Sequence, residues 1–364
     1  MRRAGRDRRL WLLIGLGLLL LAPALVGAVF QRPPSPRTVR IFPGESLQEA
    51  IDLAPAGSVL CLAPGTYRET VRIGRSITIR AEDPSGDMVL LDGPADRWAS
   101  VFIESVSNGA PCTVVLEGLT LQSNAEDGLL VGVAGSASVE ILGCRLAPSP
   151  GVGVQLYDHA TALIQDSDVT DQQGYAGVYV GGASSAVLER CHILGNPGGN
   201  IEVTGTAVAT IVNCTVSGPE KGFWITDDAT VSIQDCEIAR NGTNGIAVRS
   251  RAEVEVLRCG ISDNGDVGVV VTGVAEMTVR DCVLTGNKEG GVRVGEAARA
   301  ELTGNTIRRN GGWGVEWIGR VGESQHLSGC GNNIQDADGA FANQLGSVIP
   351  ESLRYLTHPC KDGS

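Results

Sequence analysis

Hydrophobic residues recur between Leu119 and Trp317 with a fixed period of 22 to 25 residues. One position marks each repeat, and it is occupied in turn by Leu119, Cys144, Ser167, Cys191, Cys214, Cys236, Cys259, Cys282 and Asn305. An apolar residue stands two positions after every mark, and another stands three positions before it. A period of this length is typical of a solenoid, in which each repeat forms one coil.

The pattern inside each repeat indicates the kind of solenoid. Three short runs alternate apolar residues with polar or small ones, as in Val154/Leu156 and Ile246/Val248. This two-residue alternation is typical of β-strands, and no segment between the runs is long enough for a ten-residue helix. The sequence therefore predicts an all-β fold, a right-handed parallel β-helix with three short strands per coil.

The ends of the chain predict four segments. Residues 1–9 carry five Arg and one Asp, and residues 10–29 are almost wholly apolar. Small residues up to Ala28 fit cleavage of a secretory signal, but about 20 apolar residues can also span a bilayer as an anchor. We therefore predict a signal peptide or membrane anchor at 1–28, a Pro-rich linker at 29–38, the β-helix at 39–345 and a C-terminal cap at 346–364. The protein is expected to be secreted or held at the cell surface.

A short amphipathic helix is predicted to close the N-terminal end of the β-helix. Ser46 and Glu49 have the spacing of a capping box, and the apolar stripe consists of Leu47, Ala50, Ile51 and Ala54. Residues 81–113 are less regular and are predicted to form a long loop. Cys330 and Cys360 lie outside the repeats and can form a disulfide in an oxidising compartment.

The segment SLQEAIDLAPAGSVLCLAPGTYRETVRI, residues 46–73, resembles the opening of the pectin-lyase-like β-helix superfamily. The repeats resemble the carbohydrate-binding and sugar-hydrolase repeats of that superfamily, and the likeness extends from residue 39 to about residue 345. The resemblance implies the β-helix fold and a polysaccharide setting, since members include pectate lyases, polygalacturonases and alginate epimerases. Their catalytic motifs are not found here: Asp227-Asp228 lacks the Gly-His of polygalacturonases, and Tyr157-Asp158-His159 matches the alginate epimerase motif only in part.

Six cysteines and six asparagines follow the repeat. The cysteines at the marks are predicted to be small buried thiols that pack as hydrophobes, because the Cys-x-x-Cys pairs of metal sites are absent. The asparagines stand five positions after the marks, and we predict that they occupy turns with positive φ: Asn124, Asn196, Asn241, Asn264, Asn287 and Asn310.

The candidate functional residues lie on one outward column of the predicted solenoid: Leu130, Gln155, Tyr179, Glu202, Trp224, Ala247, Val270, Arg293 and Glu316. Aromatic rings beside carboxylates suit sugars, whose C–H faces stack while their hydroxyls form hydrogen bonds. We predict four substrate-binding residues, Tyr157, His159, Tyr179 and Trp224. We predict three candidate acid/base residues, Glu202, Asp227 and Asp228. The alternative is that the loop at residues 219–222 covers Trp224, which would then be a packing residue.

The charge of the chain restricts its partners. The formal net charge is −12, and removal of residues 1–28, with five Arg and one Asp, would give −12 − 4 = −16. This charge argues against nucleic acid and against membrane contact other than through an uncleaved N-terminal segment. A polyanionic substrate would fit only with a bound divalent cation such as Ca²⁺. We expect a monomer that binds a polysaccharide or a surface protein. A polysaccharide lyase or glycoside hydrolase is the alternative, and a structural spacer is a third.

Overall fold

The computed structural model describes residues 35–84, 89–93, 99–105, 111–125, 128–318, 327–336, 341–343 and 356–360. The predicted signal or anchor at 1–28 and most of the linker lie outside these residues, as does much of the predicted C-terminal cap. No helix in the described part of the chain has the length and apolar character needed to cross a membrane.

Three parallel sheets and one short helix make up the described structure. Sheet A contains thirteen strands among the described residues: β1 Thr38–Ile41, β2 Ser58–Leu62, β5 Ile77–Ala81, β8 Thr113–Glu117, β11 Ser138–Leu142, β14 Thr161–Gln165, β17 Ser185–Glu189, β20 Val208–Val212, β23 Thr230–Gln234, β26 Glu253–Leu257, β29 Glu276–Arg280, β32 Arg299–Thr303 and β35 Leu327–Cys330.

Sheets B and C each contain twelve strands in the same described ranges. Sheet B consists of β3 Gly65–Tyr67, β6 Val89–Gly93, β9 Thr120–Ser123, β12 Arg145–Leu146, β15 Asp168–Thr170, β18 His192–Leu194, β21 Thr215–Ser217, β24 Glu237–Ala239, β27 Gly260–Ser262, β30 Val283–Thr285, β33 Thr306–Arg308 and β36 Asn333–Gln335. Sheet C consists of β4 Val71–Ile73, β7 Ala99–Glu104, β10 Leu129–Ala134, β13 Val154–Leu156, β16 Val178–Val180, β19 Ile201–Val203, β22 Phe223–Ile225, β25 Ile246–Val248, β28 Val267–Val271, β31 Gly290–Gly295, β34 Trp313–Ile318 and β37 Phe341–Asn343.

Each coil of the chain contributes one strand to each sheet, and every strand pairs in parallel with its equivalent in the next coil. In sheet A, for example, Ile211 of β20 pairs with Leu188 of β17 and with Ile233 of β23. All three side chains are fully buried, whereas the neighbouring Thr210 faces outward and is half-buried. The predicted all-β solenoid with three strands per coil is therefore confirmed, and its core lies between the three sheets.

The cysteines at the repeat marks form a buried column, as predicted. Cys191, Cys214, Cys236, Cys259 and Cys282 are stacked, and each sulfur after the first accepts the backbone N–H of the cysteine one coil earlier at 3.3–3.4 Å. Each thiol also has a backbone carbonyl as a partner, as with Cys191 Sγ and the carbonyl of Ile164 at 3.3 Å. These thiols pack as small hydrogen-bonded core groups and are free in the structure.

The asparagines five positions after the repeat marks were predicted to occupy turns with positive φ. This prediction was wrong, because the asparagines themselves do not have positive φ. Asn241, Asn264, Asn287 and Asn310 are buried, and each of the first three donates its Nδ2–H to the Oδ1 of the next at 2.8–2.9 Å. The positive φ belongs to the preceding residue in each case, for example 55° at Arg240. Asn196 is buried as well, and Asn124 is exposed and bonds to Asp92. The amides satisfy the backbone polar groups that the corner would otherwise leave buried without a partner.

The N-terminal end is closed by the predicted helix α1, Leu47–Leu53. Its cap differs from the predicted box. The Ser46 hydroxyl accepts a hydrogen bond from the backbone N–H of Glu49, as in a capping box. The backbone N–H groups of Leu47 and Gln48, however, donate to the carboxylate of Glu69, which lies outside the helix. Glu69 is provided by the first coil, so the cap ties the helix to the solenoid that it covers.

Two further predictions concern the irregular segment and the C-terminal end. Residues 81–113 are not one long loop, since they contain β6 and β7, which pair with the coils on either side. At the other end the predicted disulfide between Cys330 and Cys360 is present. It holds a segment whose Leu356 is fully buried and accepts the N–H of Asn332, so residues 356–360 cover the last coil.

Candidate functional site

The outward face of sheet C contains the predicted outward column. The central part of this face, around Tyr179, Glu202 and Trp224, is called the strip below. Its central strands are three residues long, so two side chains of each enter the core and only the middle one faces outward. Tyr179 pairs with Glu202, and Glu202 pairs with Trp224. Successive positions of this column are about 4.8 Å apart, because that is the spacing of paired strands.

The same register corrects one member of the predicted column. Gly132, not Leu130, pairs with Gln155, and Leu130 is fully buried. Strand β10 is six residues long, so its outward position lies later than the spacing from the repeat mark suggested. Beyond Gly132 the column continues to Phe102 in β7.

Tyrosines form one end of the strip. The rings of Tyr175 and Tyr179 meet edge to face, with centroids 5.4 Å apart and planes at 86°. Gln155 donates a side-chain hydrogen bond to the Tyr175 hydroxyl, and the Tyr179 hydroxyl is 2.9 Å from that of Thr204. Tyr175 is 47% exposed and offers an open ring at the surface. Sequence reasoning missed it because it lies in the turn before β16, outside the strand alternation.

Tyr157 belongs to the same cluster, although it does not lie on the central column. It follows β13 and faces outward one coil before Tyr179. Burial raises the pKa of Tyr157, and the nearby Tyr179 raises it further. Burial raises the pKa of Tyr175 as well, followed by the effects of Tyr157, Tyr179 and Glu202. Tyr157 and Tyr175 therefore remain neutral phenols near neutral pH, and together with Tyr179 they can serve as an aromatic platform with hydrogen-bonding edges.

Glu202 lies between the tyrosines and Trp224. Its side chain is half-buried, and among the described residues it makes no hydrogen bond or ion pair. Burial raises the pKa of its carboxyl group, and the charge of Lys221 opposes this effect. A half-buried carboxyl group without a committed partner is free to bind a hydroxyl group or to exchange a proton.

Trp224 forms the other end of the strip, and two cations accompany it. The Nζ of Lys221 and the Cζ of Arg249 each lie 4.4 Å from the centroid of the Trp224 ring. The loop at residues 219–222, which was the alternative cover for the ring, contributes the Lys221 side chain. Trp224 remains half-buried rather than enclosed.

The predicted acid/base residues Asp227 and Asp228 have structural partners. Asp227 has a φ of 62°, and its Oδ2 accepts the N–H of Gly205 at 3.0 Å. Asp158 bonds to Gly135 in the same way at the equivalent corner, so this contact belongs to the repeat. Asp228 forms a bidentate ion pair with Arg251, whose Nε and Nη2 donate to the two carboxylate oxygens at 2.5 and 2.6 Å. These hydrogen bonds lower the pKa of the Asp228 carboxyl group.

His159 is not brought into the strip. It is exposed in the turn after β13, at a corner position that Asp228 and Arg251 occupy in later coils. Tyr157, Tyr179, Glu202 and Trp224 thus lie together, whereas His159, Asp227 and Asp228 border the face at the following turn.

Two other features of the surface lie apart from the strip. Farther along sheet C, Arg293 contacts Glu316 at 2.6 Å, Asp266 at 3.6 Å and Glu289 at 3.7 Å. On sheet A, a shallow groove of about 460 Å³ includes Thr210, Ser232 and Thr278 but no aromatic side chain in its lining.

In the described part of the chain, no group of three or more His, Cys, Asp or Glu side chains is placed to hold a metal ion.

Comparison with known proteins concerns the fold. The family described as right handed beta helix region matches residues 127–273 and 199–343, which together cover more than half of the chain. No curated protein sequence matches. Among solved structures, the periplasmic alginate epimerase AlgG aligns with a TM-score of 0.59 at 13% identity, over 84% of this chain and 83% of that one. The A-module of the Azotobacter vinelandii mannuronan C-5 epimerase AlgE4 aligns with a TM-score of 0.59 at 14% identity, over 90% and 100%. The Dettilon tailspike protein gives 0.52 at 11% identity, over 80% and 57%.

Proposed function

The chain belongs to the right-handed β-helix family, and on this premise we propose that it is an exported glycan-binding protein. The glycan lies on the outer face of sheet C, where Tyr175, Tyr179, Glu202 and Trp224 are neighbours. The observation that carries the proposal is the half-buried, unpartnered carboxyl group of Glu202 between aromatic rings on both sides. Such a surface offers stacking to sugar rings and a hydrogen-bond acceptor to their hydroxyl groups.

The geometry of the column suits a ligand that lies along the solenoid axis. From Tyr179 to Trp224 the column advances two coils, or about 10 Å, which is roughly the length of two sugar rings. The edge-to-face pair of Tyr175 and Tyr179 leaves part of the Tyr175 ring open to solvent. One ring of the glycan would lie against the tyrosines and another beside Trp224, with Glu202 between them.

The similar solved structures support a polysaccharide ligand and an exported protein. Two of them are described as alginate or mannuronan epimerases, and one of these is periplasmic. At 13–14% identity they share the fold with this chain, so they support the class of ligand and not its identity. A surface protein as partner is less well supported, because the strip is narrow and its aromatic residues are separated by polar ones.

A second candidate is a polysaccharide lyase or glycoside hydrolase that uses Glu202 as its general acid. The raised pKa of Glu202 favours this role, since its carboxyl group stays protonated to a higher pH than that of an exposed glutamate. Asp227 and Asp228 do not complete an acid/base pair in this geometry, because a backbone N–H and Arg251 hold them. Binding without cleavage is therefore the better supported function.

The proposal is tested by measuring binding and product formation over a panel of extracellular polysaccharides. The wild-type chain is expected to bind at least one of them without releasing reducing ends or unsaturated products. Glu202→Gln keeps the shape of the side chain and should change the affinity by about 10- to 100-fold, the effect of one hydrogen bond to a charged group. Glu316→Gln is the matched control, because Glu316 lies on the same column but is paired with Arg293.

Product release that is lost in Glu202→Gln and retained in Glu316→Gln would establish the enzymatic candidate instead. A rate of product release that falls only above the usual pKa of glutamate would identify the protonated Glu202 as the acid. Absence of binding and of products across the panel would overturn both functions.

A further inference from the structure

We propose that five stacked cysteines in the core bind soft univalent cations, of which Cu(I) is the biological example. These residues are called the thiol column: Cys191, Cys214, Cys236, Cys259 and Cys282. Each ion would lie between the sulfurs of two successive coils, as a linear bridge between two thiolates. This inference does not depend on the glycan-binding function, because the thiol column lies in the core and not on the face of sheet C.

The register of the coils brings these thiols together, although successive members are 22 or 23 residues apart in the sequence. The strand pairs on either side of Cys191 align it with Cys214, and the same holds along the rest of the column. Cys144 occupies the same mark, but its neighbours there are Leu119 and Ser167. The column is therefore an uninterrupted run of five thiols, which the absence of Cys-x-x-Cys pairs in the sequence did not reveal.

The spacing of the coils fits a two-coordinate ion. The five side chains share one conformation, because each sulfur lies 3.1–3.4 Å from the carbonyl oxygen two residues before it. Paired strands are about 4.8 Å apart, so equivalent sulfurs in successive coils have about the same separation. A thiolate binds a metal such as Zn²⁺ at about 2.3 Å, and two bonds of this length in line span about 4.6 Å. A linear site needs only two ligands per ion, so it does not require the groups of three or more ligands that the described residues lack.

The same parallel arrangement disfavours the competing chemistry of the thiols. A disulfide needs sulfurs about 2 Å apart and side chains turned toward each other, which stacked neighbours do not provide. A bridging ion instead binds each sulfur from the side, along the direction of the column. The thiols therefore remain free to act as metal ligands.

The column also contains groups that stabilise thiolates. The sulfurs of its last four members each accept a backbone N–H at 3.3–3.4 Å, and such a bond strengthens when the sulfur is negatively charged. Hydrogen bonds from the neighbouring thiols lower the pKa of Cys214 and of Cys259. The same bonds, followed by burial, raise the pKa of the other three thiols. Alternate sulfurs of the column are therefore disposed to hold negative charge.

The charge balance of a filled column is compatible with burial. Four univalent ions in the four gaps would displace the five thiol protons, which leaves a net charge of 4 − 5 = −1. The ions would thus offset almost all of the negative charge that five buried thiolates would otherwise leave in the core.

Burial also determines which ion fits. Each thiol of the column is at most 3% exposed, so water and other hard ligands cannot complete a coordination shell. Thiolates select soft cations, whereas Cu(II) favours square-planar nitrogen and oxygen ligands and Zn²⁺ a tetrahedral set of four. The ions would enter as the coils close during folding, and the closed core would then shield Cu(I) from oxidants.

The test counts the copper that the full chain retains after folding in the presence of Cu(I). The chain is unfolded in denaturant with its disulfide intact and refolded under argon, with Cu(I) supplied as its bicinchoninate complex. A second sample, the native chain, is incubated with the same complex for several days. Native mass spectrometry gives the number of ions per chain, and X-ray absorption gives their ligands. We expect four copper ions at saturation, each with two sulfur neighbours and no nitrogen or oxygen ligand.

Cys→Ser variants test the column thiol by thiol. Serine is compatible with the mark, because the Ser167 hydroxyl accepts the N–H of Cys144 and donates to the carbonyl of Gln165. Cys236→Ser interrupts the column in the middle and removes two of the four gaps, so two ions should remain. Cys282→Ser removes one terminal gap and should leave three ions. Cys144→Ser is the matched control, because it removes a buried thiol that has no thiol neighbour at the mark, and all four ions should remain.

A chain that shows its cooperative unfolding transition but retains no copper in either sample would overturn the inference. Failure to refold only when Cu(I) is present would also count against it, since the ions must fit the native coils. Loss of one ion in every Cys→Ser variant, Cys144→Ser included, would indicate independent binding by single thiols and would overturn the column. None of these results affects the glycan-binding function, which the polysaccharide panel tests separately.

Discussion

Replacing Trp224 with alanine is expected to weaken glycan binding by about 100-fold or more, the effect of removing a central aromatic anchor. The ring is the element that sugar, Lys221 and Arg249 would share, so its loss removes the stacking surface and releases both cations. The free energy of unfolding should fall by about 1 kcal/mol or less, because Trp224 faces outward and is only half-buried. Binding is measured by calorimetry and stability by denaturant unfolding.

Phe102 provides a matched control for this variant. It is an outward, half-buried aromatic residue on the same column of sheet C, and the Arg72 guanidinium lies 5.3 Å from its ring centroid. Phe102→Ala removes a comparable ring outside the proposed site, and it should leave the affinity within about twofold. Loss of several kcal/mol of stability in Trp224→Ala, with no change in binding, would show that the ring is a packing residue.

Replacing Ile211 with alanine is expected to reduce the free energy of unfolding by about 2–5 kcal/mol. Ile211 is fully buried and pairs with Leu188 and Ile233 in the neighbouring coils. Removing its side chain leaves a cavity that parallel strands on both sides cannot close, because their spacing is set by backbone hydrogen bonds. The loss is measured from denaturant unfolding curves.

Thr210→Ala is the control in the adjacent position. The Thr210 side chain faces the groove on sheet A, so its loss should change stability by no more than about 0.5 kcal/mol. Similar losses at positions 210 and 211 would contradict the inward and outward assignment of this strand, and with it the register of the core.

The fold was accessible from the sequence because a solenoid repeats each local choice many times. One apolar residue at the position of Ile211 would be ambiguous, but nine equivalent positions one period apart determine both the strand and its phase. The cysteine column followed for the same reason. The register at Leu130 was misread because β10 has six residues, whereas the next strand of the sheet, β13, has three, and residues before β10 interrupt the period.

The stacked, buried asparagines show a structural detail that the repeat pattern of the sequence did not determine. The sequence places an asparagine at a corner, but it does not say whether the amide points into the coil or the backbone adopts positive φ. In the structure the preceding residue, such as Arg240 or Asp263, takes the positive φ, and the amide turns inward to bond to the next coil. The corner backbone is buried, and the amides supply its partners, as where Asn241 and Asn264 donate to the carbonyls of Val216 and Ile238.

The site was predictable only in part, because its chemistry depends on neighbours one coil away. Alternation placed Tyr179, Glu202 and Trp224 on one column. It could not show that Arg251 neutralises Asp228, that Asp227 caps the backbone of Gly205, or that Arg249 reaches Trp224 from the following coil. These contacts join residues that are 22 to 25 positions apart in the sequence. They determine which charged side chains already have a partner and which can bind a ligand.

The most direct measurement is a crystal structure of the chain with an oligosaccharide from a glycan that it binds. We expect the sugar rings on the outer face of sheet C, with one ring beside Trp224 and another against Tyr175 or Tyr179. A saccharide bound instead in the groove on sheet A, with the face around Trp224 empty, would contradict the proposed site.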